Sequence, residues 1–255
     1  MTRTIAVANQ KGGVAKTTTV ASVGVALAEL GRRVLVIDLD PQACLTFSLG
    51  VDPDAIELSI HDVFMERVGT AMAVRSITET LDLLPSTIDL TGSEVALHDR
   101  AGREYVLRSM LEDVKDSYEF ILIDCSPSLG VLTINALTAS DEVLIPLQCE
   151  TLSHRGVGQL LDTIGDVRRL TNQDLVVLGV LPTLYDGRTT HARAVLADVT
   201  ERFGVPVLEP PIGRSIRFAE APASGESIMA TAASSPGAMA YREHARRLSN
   251  EEVAA

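Results

Sequence analysis

Ile5-Ala-Val-Ala-Asn-Gln-Lys-Gly-Gly-Val-Ala-Lys-Thr-Thr-Thr19 decides how the rest of the chain is read. Ile5 to Ala8 are apolar-biased and predict a short buried strand. A Lys/Gly loop follows, and from Thr17 a helical pattern runs to about Leu30. Strand, glycine loop and helix start make an anion cradle, because unpaired backbone N–H groups and the positive helix end converge there. Lys16 adds a compact positive charge and Thr17 a hydroxyl able to ligate Mg²⁺. The common spacing G-x-x-x-x-G-K-[ST] is not met, since Gln10 and Ala15 stand at its two glycine positions. At Ala15 a positive φ would cost ~1–2 kcal/mol, whereas a negative φ costs nothing. Negative φ is the expectation.

Outward from this loop, Val34-Leu-Val-Ile37 is a continuous apolar run of the kind buried on both faces in a parallel sheet. It ends in Asp38-Leu39-Asp40-Pro41-Gln42, so two carboxylates stand at a strand's carboxyl end, the ligand edge of an open α/β sheet. Tyr118-Glu-Phe-Ile-Leu-Ile-Asp124-Cys125 repeats the pattern and resembles a Walker B element, which implies that Asp124 would hold Mg²⁺ through a coordinated water. Further strands are predicted over Leu81–Leu84, Val143–Leu147 and Leu175–Val180. Helices are predicted over Arg103–Asp113, Gly158–Leu170 and Thr190–Phe203, with a short polar helix over Ala240–Leu248. Alternating strands and helices without a Pro/Ser linker argue for one domain over 1–255. His61 and His98 have no partner ligands at useful spacing and read as structural.

Composition narrows the partners. At 46% hydrophobic the 255 residues are ample for a core, and no apolar run approaches a membrane span. The first strand begins almost at once, leaving no room for a signal peptide. Three cysteines, Cys44, Cys125 and Cys149, lack metal-ligand spacing and suit an intracellular, reduced chain. A net charge of -12 excludes a globally basic nucleic-acid footprint and leaves only a local arginine patch. Only three lysines occur, and Lys11 and Lys16 share one short loop. Placement of compact ammonium groups against phosphate explains that concentration.

Lys11-Gly12-Gly13-Val14-Ala15-Lys16-Thr17-Thr18 resembles the deviant Walker A loop of the ParA/Soj/MinD group. With Val36–Gln42, Ile121–Gly130, Leu144–Glu150, Tyr185–Thr189 and Arg217–Gly225, the chain resembles a short ParA/Soj chromosome-partitioning ATPase without an N-terminal helix-turn-helix domain. The resemblance implies a single-domain α/β P-loop NTPase fold, a mostly parallel twisted sheet with helices on both faces. It implies ATP and Mg²⁺ as cofactors, bound by Lys11, Gly12, Gly13, Val14, Ala15, Lys16, Thr17 and Thr18. Thr183 and the backbone near Pro211 would surround the adenine. Lys11, Lys16 and Asp40 would be catalytic, with Asp40 orienting the attacking water, while Thr17, Asp38 and Asp124 would serve the metal. Lys11 and Glu150 would lie at a dimer interface, Lys11 reaching the other subunit's nucleotide.

Arg188 and Arg217 would bind DNA, with Arg193 and Arg214 as lesser candidates; ordinary ion pairs with Glu209, Glu220 or Asp186 are the plain alternative. Ser126 departs from the Pro-Pro common after Asp-Cys, which implies a slightly altered stiffness there. The implied partners are a second copy of the chain, a ParB-like protein and double-stranded DNA held without sequence preference. No membrane is implied, since Tyr241–Glu252 has too little apolar face for a MinD-type anchor. The implied place is the cytoplasm, on the nucleoid. The competing reading is an orphan ParA-like ATPase that positions a non-chromosomal protein cargo.

Overall fold

The apolar runs at the centre of the chain are buried along their whole length. The computed structural model describes residues 2–150, 153–220 and 228–251, without the side chains of 219, 220 and 251. Its strands are β1 (Arg3–Val7), β2 (Val34–Leu39), β3 (Arg75–Ser76), β4 (Leu81–Leu84), β5 (Phe120–Cys125), β6 (Glu142–Gln148) and β7 (Val176–Thr183). They form one sheet in the order β3-β4-β2-β5-β1-β6-β7. All neighbours are parallel except the short β3 against β4.

The helices are α1 (Lys16–Glu29), α2 (Cys44–Ser48), α3 (Ile60–Phe64), α4 (Thr70–Ala73), α5 (Leu90–His98) and α6 (Val106–Leu111). They continue with α7 (Val131–Ala139), α8 (Ser153–Leu170), α9 (Thr190–Phe203), α10 (Arg217–Glu220), α11 (Ile228–Thr231) and α12 (Pro236–Glu251). Because strand side chains alternate between faces, each central strand feeds two cores. Ile5, Val7, Val34, Val36, Phe120 and Leu122 pack with Val20, Val23 and Leu27 of α1 and Tyr241 and Ala245 of α12. Ala6, Leu35, Ile37, Ile121 and Ile123 pack on the opposite face with residues of α3, α6, α7 and α8. Helices therefore cover both faces, which is what an all-apolar parallel strand requires.

The expected strand over Leu81–Leu84 and helix over Thr190–Phe203 coincide with β4 and α9. The expected helix over Arg103–Asp113 is shorter: Arg103–Tyr105 is a 3-10 turn and α6 covers Val106–Leu111. Helix α8 starts at Ser153 rather than Gly158, the glycines at 156 and 158 having obscured its first turns. The largest correction is α12. It is neither short nor a polar surface helix: Ala238, Tyr241 and Ala245 are buried, and it lies along α1. Its arginines and glutamates dominate the composition, while its apolar stripe uses mostly alanine and leaves a weak signal. The tail thus does have an apolar face, and α1 covers it. Among the described residues no helix is long and apolar enough to cross a membrane. The family signature over Arg217–Gly225 runs past residue 220, so its second half lies outside the described residues.

Gly24 sets the approach of α1 to the sheet, since a Cβ there would lie 2.7 Å from Val36 Cγ1. Alanine gains about 1 kcal/mol of helix propensity over glycine, but overpacking a core costs about 1–3 kcal/mol. Gly24→Ala should therefore lower the urea midpoint. Gly165→Ala, where a Cβ meets nothing within 4 Å, should raise it by up to about 1 kcal/mol of stability. Equal shifts in the two variants would refute the packing account.

Candidate nucleotide site

Strand register brings the chemistry to one edge. β5 lies between β1 and β2, with Val7 opposite Asp124 and Asp38 opposite Asp124. The loop after β1 therefore meets both aspartates at adjacent carboxyl ends. Asn9, which the sequence reading passed over, fastens this loop: its Nδ2 donates to the Pro146 carbonyl at 2.7 Å, and its Oδ1 accepts from Lys11 N at 3.0 Å. Lys16 is buried, its Nζ 3.4 Å from the Lys11 carbonyl.

Ala15 has φ 66 and ψ 35, the left-handed region, against the expectation of a negative φ. The chain must reverse there to aim Lys16 inward, and a residue with a Cβ does this at ~1–2 kcal/mol. The loop opens on a cavity of about 620 Å³. It is lined by Gly12, Gly13, Ala15, Lys16, Thr17 and Thr18, with Asp40 and Cys44. Leu184, Ile212, Phe218 and Tyr241 add an apolar lining.

The two aspartates differ in how they are satisfied. Asp38 is fully buried, and its Oδ2 accepts from Thr46 N at 2.8 Å and Thr46 Oγ1 at 2.7 Å. Its Oδ1 accepts from Asp40 N at 3.2 Å. Desolvation outweighs those bonds and pushes Asp38 up to about 6. Asp124 is equally buried, yet neither of its oxygens has a hydrogen bond of ordinary length. Burial first, then the neighbouring Asp38 charge, raises it well above the ordinary carboxylate value, while Thr17 and Lys16 pull the other way. An orphaned buried carboxylate beside a lysine and a threonine hydroxyl fits a divalent cation. Both oxygens of Asp38 are hydrogen-bonded, Oδ1 only once, so it is less open than Asp124. Asp40 sits half-buried at the cavity wall, its Oδ1 accepting from Gln42 N at 2.9 Å.

Not every expected residue arrives at the cavity. Thr183 is fully buried and donates to the Val14 carbonyl at 2.9 Å, so it braces the loop, and the cavity wall comes from its neighbour Leu184. Pro211 does not line the cavity, but the next residue, Ile212, does. Lys11 and Glu150 do come together, but within one chain: the ammonium donates to Glu150 and holds that carboxyl below its ordinary value. Ser126 Oγ lies 3.1 Å from Ser128 Oγ, a polar tie in the loop after β5.

The arginines separate. Arg188 is committed to Asp186, with Nε and Nη2 each at 2.9 Å. Arg193 donates to the Gly187 carbonyl at 2.7 Å. Arg217 is exposed and makes no ion pair among the described residues, and Arg214 is exposed near enough to Glu150 to help lower it. His61 Nδ1 pairs with Ser93 Oγ at 2.8 Å, a structural role as expected.

The family described as an AAA domain matches residues 2–177. The sporulation initiation inhibitor protein Soj of Bacillus subtilis is 42% identical over 97% of this chain and 98% of its own length. The chromosome partitioning protein ParA of Caulobacter vibrioides is 42% identical over 98% of this chain and 95% of its own. The chain belongs to the ParA/Soj family. A Mycobacterium smegmatis structure with bound ADP and magnesium, described as cobyrinic acid a,c-diamide synthase, superimposes with a TM-score of 0.88 at 55% identity. It covers 98% of this chain and 95% of that one.

Within this ParA/Soj chain the aspartate pair makes a sharp prediction. A carboxylate whose value is raised by folding binds its proton more tightly in the folded state, so its contribution to stability falls as pH rises. Asp124→Asn removes that burden, so the ligand-free variant should melt above wild type, by a margin that opens as pH rises out of the ordinary carboxylate range. The gain expected from an unsatisfied buried group is about 1–3 kcal/mol, at about 2–4 °C per kcal/mol. The difference between the two proteins isolates this pair from carboxylates that folding lowers, such as Glu119, which accepts from the Arg33 backbone N–H and pairs with Arg32. Added Mg-ATP should raise the midpoint of wild type only. A variant that melts lower than wild type at pH 8 would refute the assignment.

Proposed function

We propose that this chain is a Mg-ATP-dependent ATPase that dimerises on ATP, binds duplex DNA without sequence preference as the dimer, and is stimulated by a ParB-like partner. The observation that carries the ATPase part is the orphaned, buried Asp124 beside Lys16 and Thr17, two residues that line the cavity. Among the described residues no three acidic, histidine or cysteine side chains cluster as a metal site. Thr17 and Asp124 would therefore hold Mg²⁺ together with phosphate oxygens, and the ion would neutralise charge on the transferring phosphoryl group. Lys16 binds the phosphates, Asp38 fixes Thr46 and the backbone of Asp40, and Asp40 orients the attacking water. Lys11 leaves Glu150 and reaches the partner's nucleotide, so the cis pair is the resting arrangement. The mycobacterial neighbour with ADP and magnesium supports the ligand.

Arg217 supports the DNA part, being exposed and free of an ion pair among the described residues. Its activity would place the protein in the cytoplasm on the nucleoid. The alternative, an orphan ATPase that positions a protein cargo, uses the same cavity and differs only in what the dimer holds. The name carried by the mycobacterial structure suggests ATP-driven amide formation. No described thiol is activated to release ammonia from an amide donor: burial pushes Cys125 up and Cys149 to about 11, and Cys44 is also raised.

Asp40→Ala should retain Mg-ATP binding and lose turnover by about 10²-fold or more, read by phosphate release. Wild-type turnover would move the water-orienting role elsewhere. Duplex retention by the ATP-bound Asp40→Ala protein should weaken with salt and be lost with Arg217→Ala, and only slightly reduced with Arg188→Ala, whose guanidinium is already committed. Equal retention with and without Arg217→Ala would place the patch elsewhere. No retention by any ATP-bound form would favour the cargo reading.

A further inference from the structure

The left-handed Ala15 has a support that reaches it from the far end of the chain. Its carbonyl accepts from Thr19 N at 2.9 Å and from Thr19 Oγ1 at 2.7 Å. Threonine hydroxyls often bond back one turn in a helix, so that contact alone is ordinary. The second partner of the same hydroxyl is not. Tyr241 Oη, from α12, lies 3.1 Å from Thr19 Oγ1, and both residues are completely buried. Thr19 has one proton and directs it at Ala15, which leaves Tyr241 as donor to Thr19. A directed chain results: Tyr241 hydroxyl to Thr19 hydroxyl to the carbonyl of the strained residue before Lys16.

The tyrosine ring is itself held in place. Phe218 meets it edge to face, with centroids 5.9 Å apart and planes at 88°. Gly237 leaves the room Phe218 occupies, since a Cβ there would lie 2.5 Å from Phe218 Cζ. Tyr241 and Phe218 line the same cavity as Ala15 and Lys16.

We propose that Tyr241 is a positioning residue for the phosphate loop, its hydroxyl acting through Thr19 to hold Ala15 in the left-handed conformation that aims Lys16. The need for it arises from alanine: a glycine at 15 adopts φ > 0 at no steric cost. The inference rests on the nucleotide reading of the cavity.

The test is a double-mutant cycle on the Mg-ATP dissociation constant, measured by titration calorimetry with the full chain. Tyr241→Phe should weaken binding about three- to tenfold, the net worth of one buried hydrogen bond. Ala15→Gly should bind at least as tightly as wild type. In the Ala15→Gly background, Tyr241→Phe should cost less than about twofold, a coupling expected only of residues that act on one another. A role in packing alone would give equal losses in both backgrounds, and that result, or no loss in either, would overturn the proposal. Should Tyr241→Phe fail to fold, Thr19→Val must show the loss and Thr19→Ser must restore binding; the same loss in both would overturn it. A wild type that binds no Mg-ATP would overturn the nucleotide reading and this proposal with it.

Discussion

Two buried carboxylates on neighbouring strands are the constraint around which the site is built. Parallel pairing of β2 with β5 sets Asp38 opposite Asp124, and helices on both sheet faces keep water away. Like charges brought together in low dielectric oppose ionisation of each other. The fold satisfies one of them with Thr46 and the backbone of Asp40, leaving the other open. An unsatisfied buried acceptor costs about 1–3 kcal/mol, and a chain tolerates such a cost where a ligand later repays it. On the proposed reading, the cation and phosphates that complete Asp124 would also engage Lys16 and Thr17, so one binding event would settle the whole edge.

What was legible in the sequence was local. Asp38, Asp40 and Asp124 stand at strand ends because apolar runs announce strands and the aspartates terminate them. Lys16 and Thr17 follow a glycine loop between a strand and a helix, a pattern confined to a dozen residues. What was not legible depended on distant partners. The sign of φ at Ala15 is decided by Thr19 and by a tyrosine more than two hundred residues away in the chain. Thr183 bonds the Val14 carbonyl inside the protein, and nothing in its neighbours in sequence says that Leu184 and not Thr183 faces the cavity. Helix α12 reads as polar because its buried stripe is narrow and built largely of alanine. Asn9 and Thr46 are single polar residues whose importance appears only with their hydrogen-bond partners.

The Lys11–Glu150 contact illustrates why an ion pair need not be a lock. Both side chains are substantially exposed, at 37% and 53%, so solvent screens the pair and its worth falls in the surface range of about 0–1 kcal/mol. A polyphosphate presents more charge at the same ammonium than one carboxylate does. The pair therefore holds Lys11 only loosely, and Arg214 lies near Glu150 as an alternative counter-charge.

The same screening resolves the apparent conflict between an acidic chain and a DNA-binding reading. At physiological salt the Debye length is about 8 Å, so most of the net charge of -12 is not felt at any one surface point. What a phosphate feels is the nearest guanidinium and whether that group is already engaged. Arg188 lies beside Asp186 and presents an almost neutral pair, whereas Arg217 has no ion pair among the described residues. Counting arginines in the sequence treats the two alike. A few unpaired cations per protomer are too few for stable hold on a duplex, since each neutralised phosphate contributes only about one unit to the salt slope. Two protomers on one duplex add their contacts at high effective concentration. On this account dimerisation, not overall charge, makes DNA affinity conditional on nucleotide.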